Sequence, residues 1–190
     1  MSGTPASSES ARPVVATADP EHMPSRKGNP FLRSATSGRI LSALHLPFFT
    51  LRTPLGYGVL TTIGRRTGKA RSRCVHAIRH DDRAYMVMIR PTPEAIALPW
   101  TSAWMLNIRA NPSVRLRLRA GSFAARAREL TDERELQRAR EIYCNAVNPF
   151  DYLECAFHRG ERPTRARIQA LHRSWFATGI PVVIELSNKL

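Results

Sequence analysis

Polar and apolar residues alternate along several short segments in the middle of the chain. The clearest alternation is SVRLRLR, residues 113–119, in which valine or leucine follows each polar position. A period of two is typical of a β-strand with one face on a core and the other in solvent. We therefore expect the arginines of this segment to form a solvated face. The same pattern predicts strands over residues 57–63, 72–79, 84–90, 113–119 and 123–130.

Apolar residues recur at helical spacing before, between and after these strands. Asn29 and Pro30 are typical of a helix start, and Pro47 is expected to end this first helix. Further helices are predicted over residues 102–109, from 131–132 through Ala146, and from 163–164 to Gly179. The last helix precedes IPVVIEL, which is predicted to be the closing strand.

The order of these elements indicates the fold class. Strands joined by short turns, with helices at the edges, are typical of an α+β fold built around a small, mainly antiparallel barrel. The strands do not alternate with helices as βαβ units, so a doubly wound parallel sheet is disfavoured. Residues 1–28 are rich in Ser, Pro, Ala and Thr without apolar periodicity, which predicts a disordered tail. Residues 29–190 are predicted to form a single domain.

The charge of the chain points to an anionic partner. Lys and Arg together number 29 against 15 Asp and Glu, and the formal net charge is +14. Such an excess favours nucleic acid, a membrane surface or a polyanionic small molecule. The basic strands lack interleaved aromatic residues that would stack on bases, so no nucleic-acid partner is expected.

The cysteines and the apolar stretches bear on location. Cys74, Cys144 and Cys155 are an odd number without C-x-x-C spacing, which indicates neither a disulfide framework nor a zinc ribbon. There is no apolar signal region, and the apolar stretch at residues 40–49 is shorter than the roughly 20 residues that span a bilayer. A cytoplasmic protein is expected, and peripheral contact with the inner face of the cell membrane is left open.

One basic turn, LTTIGRRTGKARSR at residues 60–73, sets cationic side chains around two glycines. It is not a P-loop, because only three residues separate Gly64 from Gly68, Ala70 stands where Ser or Thr is required, and a strand follows instead of a helix. The glycines permit positive φ and close backbone approach, and the arginines offer planar, multidentate donors. These features favour a phosphate-binding hairpin over a merely solvated basic turn.

The string LTTIGRRTGKAR, followed by WMLNIRANP at residues 104–112 and by FAARARELTDERE, resembles the deazaflavin-dependent nitroreductase family, which uses coenzyme F420. The resemblance covers roughly residues 57–135, and IPVVIEL is similar to the family's final strand. It implies a split β-barrel of the flavin-reductase or PNPOx-like type with flanking helices. It also implies an oxidoreductase that transfers a hydride from reduced F420 to a quinone or nitroaromatic acceptor. Because F420 carries an anionic tail beyond its phosphodiester, the basic excess favours it over FMN, which would need one phosphate site.

The resemblance further implies a set of cofactor-binding residues. The basic turn looks like the family's phosphate-binding loop, and Arg90 falls where the family commonly has a lysine beside the cofactor. Trp104 occupies the position of the family's tryptophan near the ring system, and His76 stands where a relative carries an aromatic ring. The full set is Gly64, Arg65, Arg66, Thr67, Gly68, Lys69, Arg71, His76, Ile89, Arg90 and Trp104.

Protonation of the product is predicted to use a hydroxyl group, with Tyr152 as the candidate catalytic residue and Tyr143 or solvent as alternatives. Tyr143 lies on an apolar helix face and is expected to be a core residue, whereas Tyr152 is expected in a loop. His172 is expected to be a core histidine with satisfied hydrogen bonds. The Cys-x10-Cys-x2-His pattern that ends at His158 lacks a fourth ligand at the usual spacing, so no metal site is predicted.

An alternative function stays open beside the enzyme. A non-catalytic protein that binds or sequesters F420 or a flavin-like cofactor would have the same basic turn. Tight cofactor binding without acceptor-dependent oxidation would distinguish this carrier from an enzyme. The sequence also leaves open whether the barrel is a monomer or a homodimer.

Overall fold

The computed structural model describes residues 46–89, 101–159 and 162–190. The predicted tail, the predicted helix from Asn29 as far as residue 45, and Arg90 lie outside these residues. The expectation that Pro47 ends a helix is wrong, since residues 46–51 are helical. Phe49 of this helical segment packs against Tyr57, which begins the first strand.

Seven antiparallel strands form one sheet in the described part of the chain. Its strand order is β2-β1-β5-β6-β7-β4-β3. The sequence prediction located every segment of this sheet and erred mainly at the ends. The strands are β1 (Tyr57–Ile63), β2 (Ala70–His76), β3 (Ile78–His80), β4 (Arg83–Met88), β5 (Ser113–Leu118), β6 (Gly121–Glu129) and β7 (Ile180–Lys189).

The two outermost strands, β2 and β3, follow one another in the chain with only Ala77 between them. The Ala77 backbone N–H donates to the Gly56 carbonyl, 2.9 Å away, where the chain stops pairing with β1 and starts pairing with β4. A sheet whose two edges are adjacent in the chain must curl, and the predicted split barrel is confirmed. The single strand predicted over residues 72–79 is two strands, because the chain changes its pairing partner at Ala77.

The register defines two ends of the barrel. β1 and β2 pair from Tyr57 with His76 to Ile63 with Ala70. The turn at residues 64–69 therefore lies at one end of this hairpin, the loop end. Tyr57 and His76 lie at the opposite end, the far end.

Besides the helical segment 46–51, the described residues include the helices α1 (Ala103–Ala110), α2 (Glu133–Asn145), α3 (Pro149–Arg159) and α4 (Arg165–Thr178), which flank the sheet. Ser102, Asp132 and Thr164 cap α1, α2 and α4, each accepting a backbone N–H three residues later. Gly179 ends α4. The predicted starts of these three helices are thereby confirmed to within a residue or two.

Helix α3 was not predicted, and the expectation that Tyr152 lies in a loop is wrong. The sequence NPFDYLEC reads as a turn because of its Asn-Pro start and its early Asp. In the structure Pro149 is the first residue of the helix, a position where proline's missing N–H costs nothing. Asp151 in the first turn accepts the Asn148 backbone N–H at 2.6 Å, which fixes the start of the helix.

Apolar residues pack on both faces of the sheet. The inner core, inside the barrel, includes Leu60, Met86, Met105, Leu116, Val182 and Ile184. The outer core, beneath the helices, includes Tyr85, Val87, Tyr143, Ile168, Trp175 and Val183. Along β5 every second residue is buried and Arg115 and Arg117 are exposed, which confirms the predicted solvated face. None of the helices in the described residues is long and apolar enough to cross a bilayer.

Candidate functional site

The basic turn at residues 64–69 is held closed by its own backbone. Gly64 donates its N–H to the Lys69 carbonyl at 2.9 Å, and Gly68 donates to the Gly64 carbonyl at 2.8 Å. Thr67 adds a weaker contact, since its Oγ1 accepts the Lys69 N–H at 3.4 Å. Gly68 has a φ of 65°, a left-handed conformation that favours glycine. The turn therefore has a defined shape.

A buried side chain of α1 anchors this turn to the barrel. Asn107 Oδ1 accepts the Arg65 backbone N–H at 3.1 Å, and Asn107 Nδ2 donates to Thr62 Oγ1 at 3.0 Å. Asn107 is 5% exposed and Thr62 is 1% exposed. Asn107 was not predicted from the sequence. Its only signal was an amide in the middle of a short, otherwise apolar helical segment.

The cationic side chains of the turn stay exposed while its backbone is anchored. Arg65, Arg66, Lys69 and Arg71 are all exposed. Arg71 pairs across the hairpin with buried Thr62, on the inner face of the sheet. The turn and the start of β2 thus present several cationic donors around the loop end of the barrel, as an anion site requires.

Trp104 and Ile89 lie at this same loop end. Trp104 is on α1, one turn before Asn107, and packs half-buried against the inner core. Ile89 directly follows β4 and is 39% exposed. The Ser102 N–H contacts Met88 Sδ at 3.4 Å, which ties the start of α1 to the end of β4. The structure therefore brings the basic turn, Trp104 and Ile89 together, while Arg90 lies outside the described residues.

His76 and Tyr152 do not lie with the turn. His76 ends β2, six residues from its start, and at about 3.3 Å per residue this separation is roughly 20 Å along the strand. Tyr152 is on α3 and is 40% exposed, whereas its neighbours Asp151 and Cys155 are buried. The cofactor role of His76 and the proton-donor role of Tyr152 stay predictions.

His76 belongs instead to a buried polar cluster at the far end. Its Nδ1 lies 2.7 Å from the hydroxyl of Tyr143, and its Nε2 lies 3.2 Å from Asp151 Oδ1. The Tyr57 hydroxyl donates to Asp151 Oδ1 at 3.0 Å and contacts a carboxylate oxygen of Glu154. Burial of Tyr143 confirms its predicted place in the core, but its hydroxyl serves this cluster.

His172, on α4, lies against the same cluster. Its ring centroid is 4.7 Å from that of His76. It is fully buried, as predicted, but within the described residues neither ring nitrogen makes a hydrogen bond of good geometry, although the backbone of Tyr143 and Ala146 lies beside the ring. An unpaired buried polar atom costs free energy, so this histidine requires another explanation.

The protonation states in the cluster follow from burial and from the neighbours. Burial and, after it, the charge of His76 lower the pKa of His172 to about 4, against the opposing effects of Asp151 and of the backbone of Ala146 and Tyr143. Burial tends to raise the pKa of Asp151, but its contacts with His76 and with the Asn148 N–H outweigh this and hold the pKa below its ordinary value. Burial, then the charges of Glu154 and Asp151, raise the pKa of Tyr57. At neutral pH His172 is therefore neutral, Asp151 is ionised and Tyr57 keeps its proton.

A sequence comparison decides the family. The profile described as F420H(2)-dependent quinone reductase matches residues 51–156, more than half of the 190-residue chain. The chain belongs to the F420H2-dependent quinone reductase family. It is an oxidoreductase of the type that depends on coenzyme F420.

Solved structures resemble this reductase at low sequence identity. The F420-H2 dependent reductase FDR-A is 20% identical, with a TM-score of 0.46, covering 70% of this chain and 94% of that one. A structure described as a domain-swapped dimer is 21% identical, with a TM-score of 0.48, covering 80% and 94%. An FAD-binding protein from Mesorhizobium loti is 14% identical, with a TM-score of 0.43, covering 77% and 91%. No curated protein sequence matches the chain.

The residues at the loop end of the reductase fit the anionic stem of F420, that is, its phosphodiester and acidic tail. A Cβ added to Gly68 would have no atom within 4 Å, so the glycine is required by its φ and the surface beside it is open. A Cβ on Gly64 would meet Thr67 Oγ1 at 2.9 Å and the Lys69 carbonyl at 3.2 Å, so the compact turn needs this glycine too. A fixed, open turn ringed by guanidinium groups matches the chemistry of a phosphodiester.

Proposed function

We propose that this reductase binds the phosphodiester and acidic tail of F420 at the turn 64–69, keeps the ring system beside Trp104, and reduces a quinone. The observation that carries the proposal is the turn itself. Buried Asn107 fixes its backbone, while Arg65, Arg66 and Arg71 keep their side chains exposed and available to an anion.

The chain's own residues have three tasks in this scheme. The arginines bind the stem and neutralise its charge, and the anchored turn fixes the position of the stem relative to α1. Trp104 packs on the inner core and offers a fixed apolar surface at the same end. When bound, reduced F420 supplies the hydride, so the protein has to bind and orient the cofactor and the acceptor and exclude water.

A quinone is the acceptor we favour, and nitroaromatic reduction is proposed as a side activity. The family description names quinone reduction, and the exposed Ile89 together with Trp104 gives the loop end apolar surface suited to a planar acceptor. FMN is proposed to bind less well than F420, because it would use only part of the basic surface. Tyr152, on a helix at the far end, stays a predicted proton donor.

The test is acceptor-dependent oxidation of reduced F420 by the purified chain, followed by stopped-flow absorbance. We expect rapid oxidation with a soluble quinone, slower oxidation with a nitroaromatic, and little acceleration over the rate without protein when reduced FMN replaces reduced F420. Tight F420 binding without oxidation by any acceptor would contradict the enzyme and select the alternative, a carrier or sequestering protein.

A second part of the proposal is peripheral contact with an anionic membrane. Leu51, Phe48 and Leu55 are 86%, 52% and 54% exposed, and they lie in and beside the helical segment 46–51. The lining of a hollow of about 310 Å³ beside Leu51 includes three basic residues, Arg52, Arg117 and Arg119. Exposed apolar residues beside arginines suit the headgroup region of an anionic bilayer.

Sedimentation with phosphatidylglycerol vesicles tests this contact. Leu51→Asp is expected to lower the partition coefficient between vesicles and water about tenfold, because burial of a Leu side chain in the bilayer contributes a binding free energy of about that size. Leu153→Asp is the matched control, since Leu153 is 62% exposed on α3 and is not among the residues that line the basic hollow. Equal sedimentation of the two variants, or sedimentation unaffected by salt, would contradict a contact made by this surface.

A further inference from the structure

We propose that His76, Asp151 and His172 form a binding site for a divalent transition-metal ion of the Zn²⁺ type at the far end of the barrel. The three residues come from β2, α3 and α4, and their ligand atoms all lie within 4.8 Å of one another. The site is separate from the basic turn, at the opposite end of the β1–β2 hairpin.

The separations are close to those of a zinc site. Zn–N and Zn–O bonds of about 2.0–2.2 Å in a tetrahedral arrangement set the ligand atoms roughly 3.4 Å apart. His76 Nε2 and Asp151 Oδ1 are already 3.2 Å apart. A ring movement of His172 of about 1.4 Å would bring the widest separation to this value.

Unpaired buried nitrogens are the second observation. His172 is fully buried and neither of its nitrogens makes a hydrogen bond of good geometry among the described residues. His76 Nε2 is buried as well, and its contact with Asp151 lacks the geometry of a hydrogen bond. Buried polar atoms normally have partners, and a shared cation would supply one to His76 Nε2 and to one ring nitrogen of His172.

The surroundings match the outer shell of a metal site. Metal-bound histidines usually give their second ring N–H to an oxygen, and His76 Nδ1 lies 2.7 Å from the Tyr143 hydroxyl. The backbone of Tyr143 and Ala146 lies beside the His172 ring. Asp151 is oriented by the Asn148 backbone N–H at 2.6 Å and by the Tyr57 hydroxyl at 3.0 Å.

The donor set selects the class of ion. Two imidazoles and one carboxylate suit Zn²⁺ and its neighbours in the first transition row, whereas Mg²⁺ and Ca²⁺ prefer oxygen ligands alone. The ionised carboxylate offsets part of the charge of the ion in this buried setting. Because the ligands join a barrel strand to two helices, the bound ion would fasten the helical layer to the sheet and raise stability.

The experiment uses the full chain without a histidine tag, stripped with a chelator and titrated with Co²⁺ as a spectroscopic probe and then with Zn²⁺. We expect one Co²⁺ per chain with the visible absorption bands of tetrahedral coordination. At a Zn²⁺ concentration 100 times the dissociation constant, we expect a rise in the thermal midpoint of about 5–10 °C. A chain that shows neither the absorption bands nor the rise in midpoint would overturn the proposal.

A pair of variants separates the site from surface binding. His172→Leu removes one ligand, fills the same volume with an apolar side chain, and is expected to weaken Co²⁺ binding at least about tenfold. His80→Leu is the matched control, because His80 is exposed beside Asp81 and outside the cluster. Circular dichroism verifies that both variants fold. Undiminished Co²⁺ binding by folded His172→Leu would overturn the site, and because F420 binding is measured separately, this failure leaves the proposed function untouched.

Discussion

Replacing Arg66 and Arg71 together with alanine is expected to weaken F420 binding about 100-fold, because each loses charge-assisted hydrogen bonds to the anionic stem. The thermal midpoint should move by no more than about 2 °C, since both side chains are exposed and exposed charges contribute little to stability. The measurement is a fluorescence titration of the cofactor, with a melting curve of the same sample.

The control for this pair has to remove the same charge elsewhere. Arg115→Ala with Arg117→Ala does so on the exposed face of β5. If the whole positive field of the protein attracted F420, both double variants would lose affinity equally and the loss would vanish at high salt. Equal affinity of the wild-type chain and Arg66→Ala with Arg71→Ala would remove the turn from the cofactor site.

Local patterns predicted most of the fold because the decisive signals are local. Alternation along β5 reflects a strand with one wet face, and the caps at Ser102, Asp132 and Thr164 mark helix starts through contacts three residues away. The break at Ala77 was missed because it depends on which strands pair across the barrel. Helix α3 was missed because its Asn-Pro start and its early Asp are typical of a turn, whereas Asp151 in fact fixes the first turn of the helix.

The two polar sites differ in how far the sequence predicts them. The basic turn is contiguous, so its glycines and arginines could be recognised together and matched to a family. Asn107, which holds that turn, is forty-two residues away along the chain. The cluster of His76, Asp151 and His172 draws each residue from a different element, and no local spacing reveals it. The prediction of no metal site considered only nearby cysteines and histidines, and therefore did not address this cluster.

Asn107→Leu is expected to destabilise the reductase by about 3 kcal/mol, because it leaves the Arg65 N–H and the buried Thr62 hydroxyl without their amide partner. For a chain of this length the thermal midpoint should fall by about 6–12 °C. F420 affinity, measured below the new midpoint, should also fall, since the turn loses the contact that holds its backbone. Asn111→Leu is the matched control at the end of the same helix, where the amide oxygen accepts the Ser113 N–H in an exposed position.

A double-mutant cycle with Thr62→Val separates this hydrogen-bonded pair from a general loss of packing. If Asn107 acts through Thr62, Thr62→Val should destabilise a chain that already carries Asn107→Leu less than it destabilises the wild type. The reason is that Asn107→Leu has already removed the partner of the Thr62 hydroxyl. Strict additivity would mean that the two residues act independently.

The effect on F420 affinity is tested by Thr62→Val alone. This variant keeps the amide contact with the Arg65 N–H, so it should lower stability and leave F420 binding nearly unchanged. A fall in affinity as large as that of Asn107→Leu would show that the turn responds to the stability of the barrel rather than to its anchor.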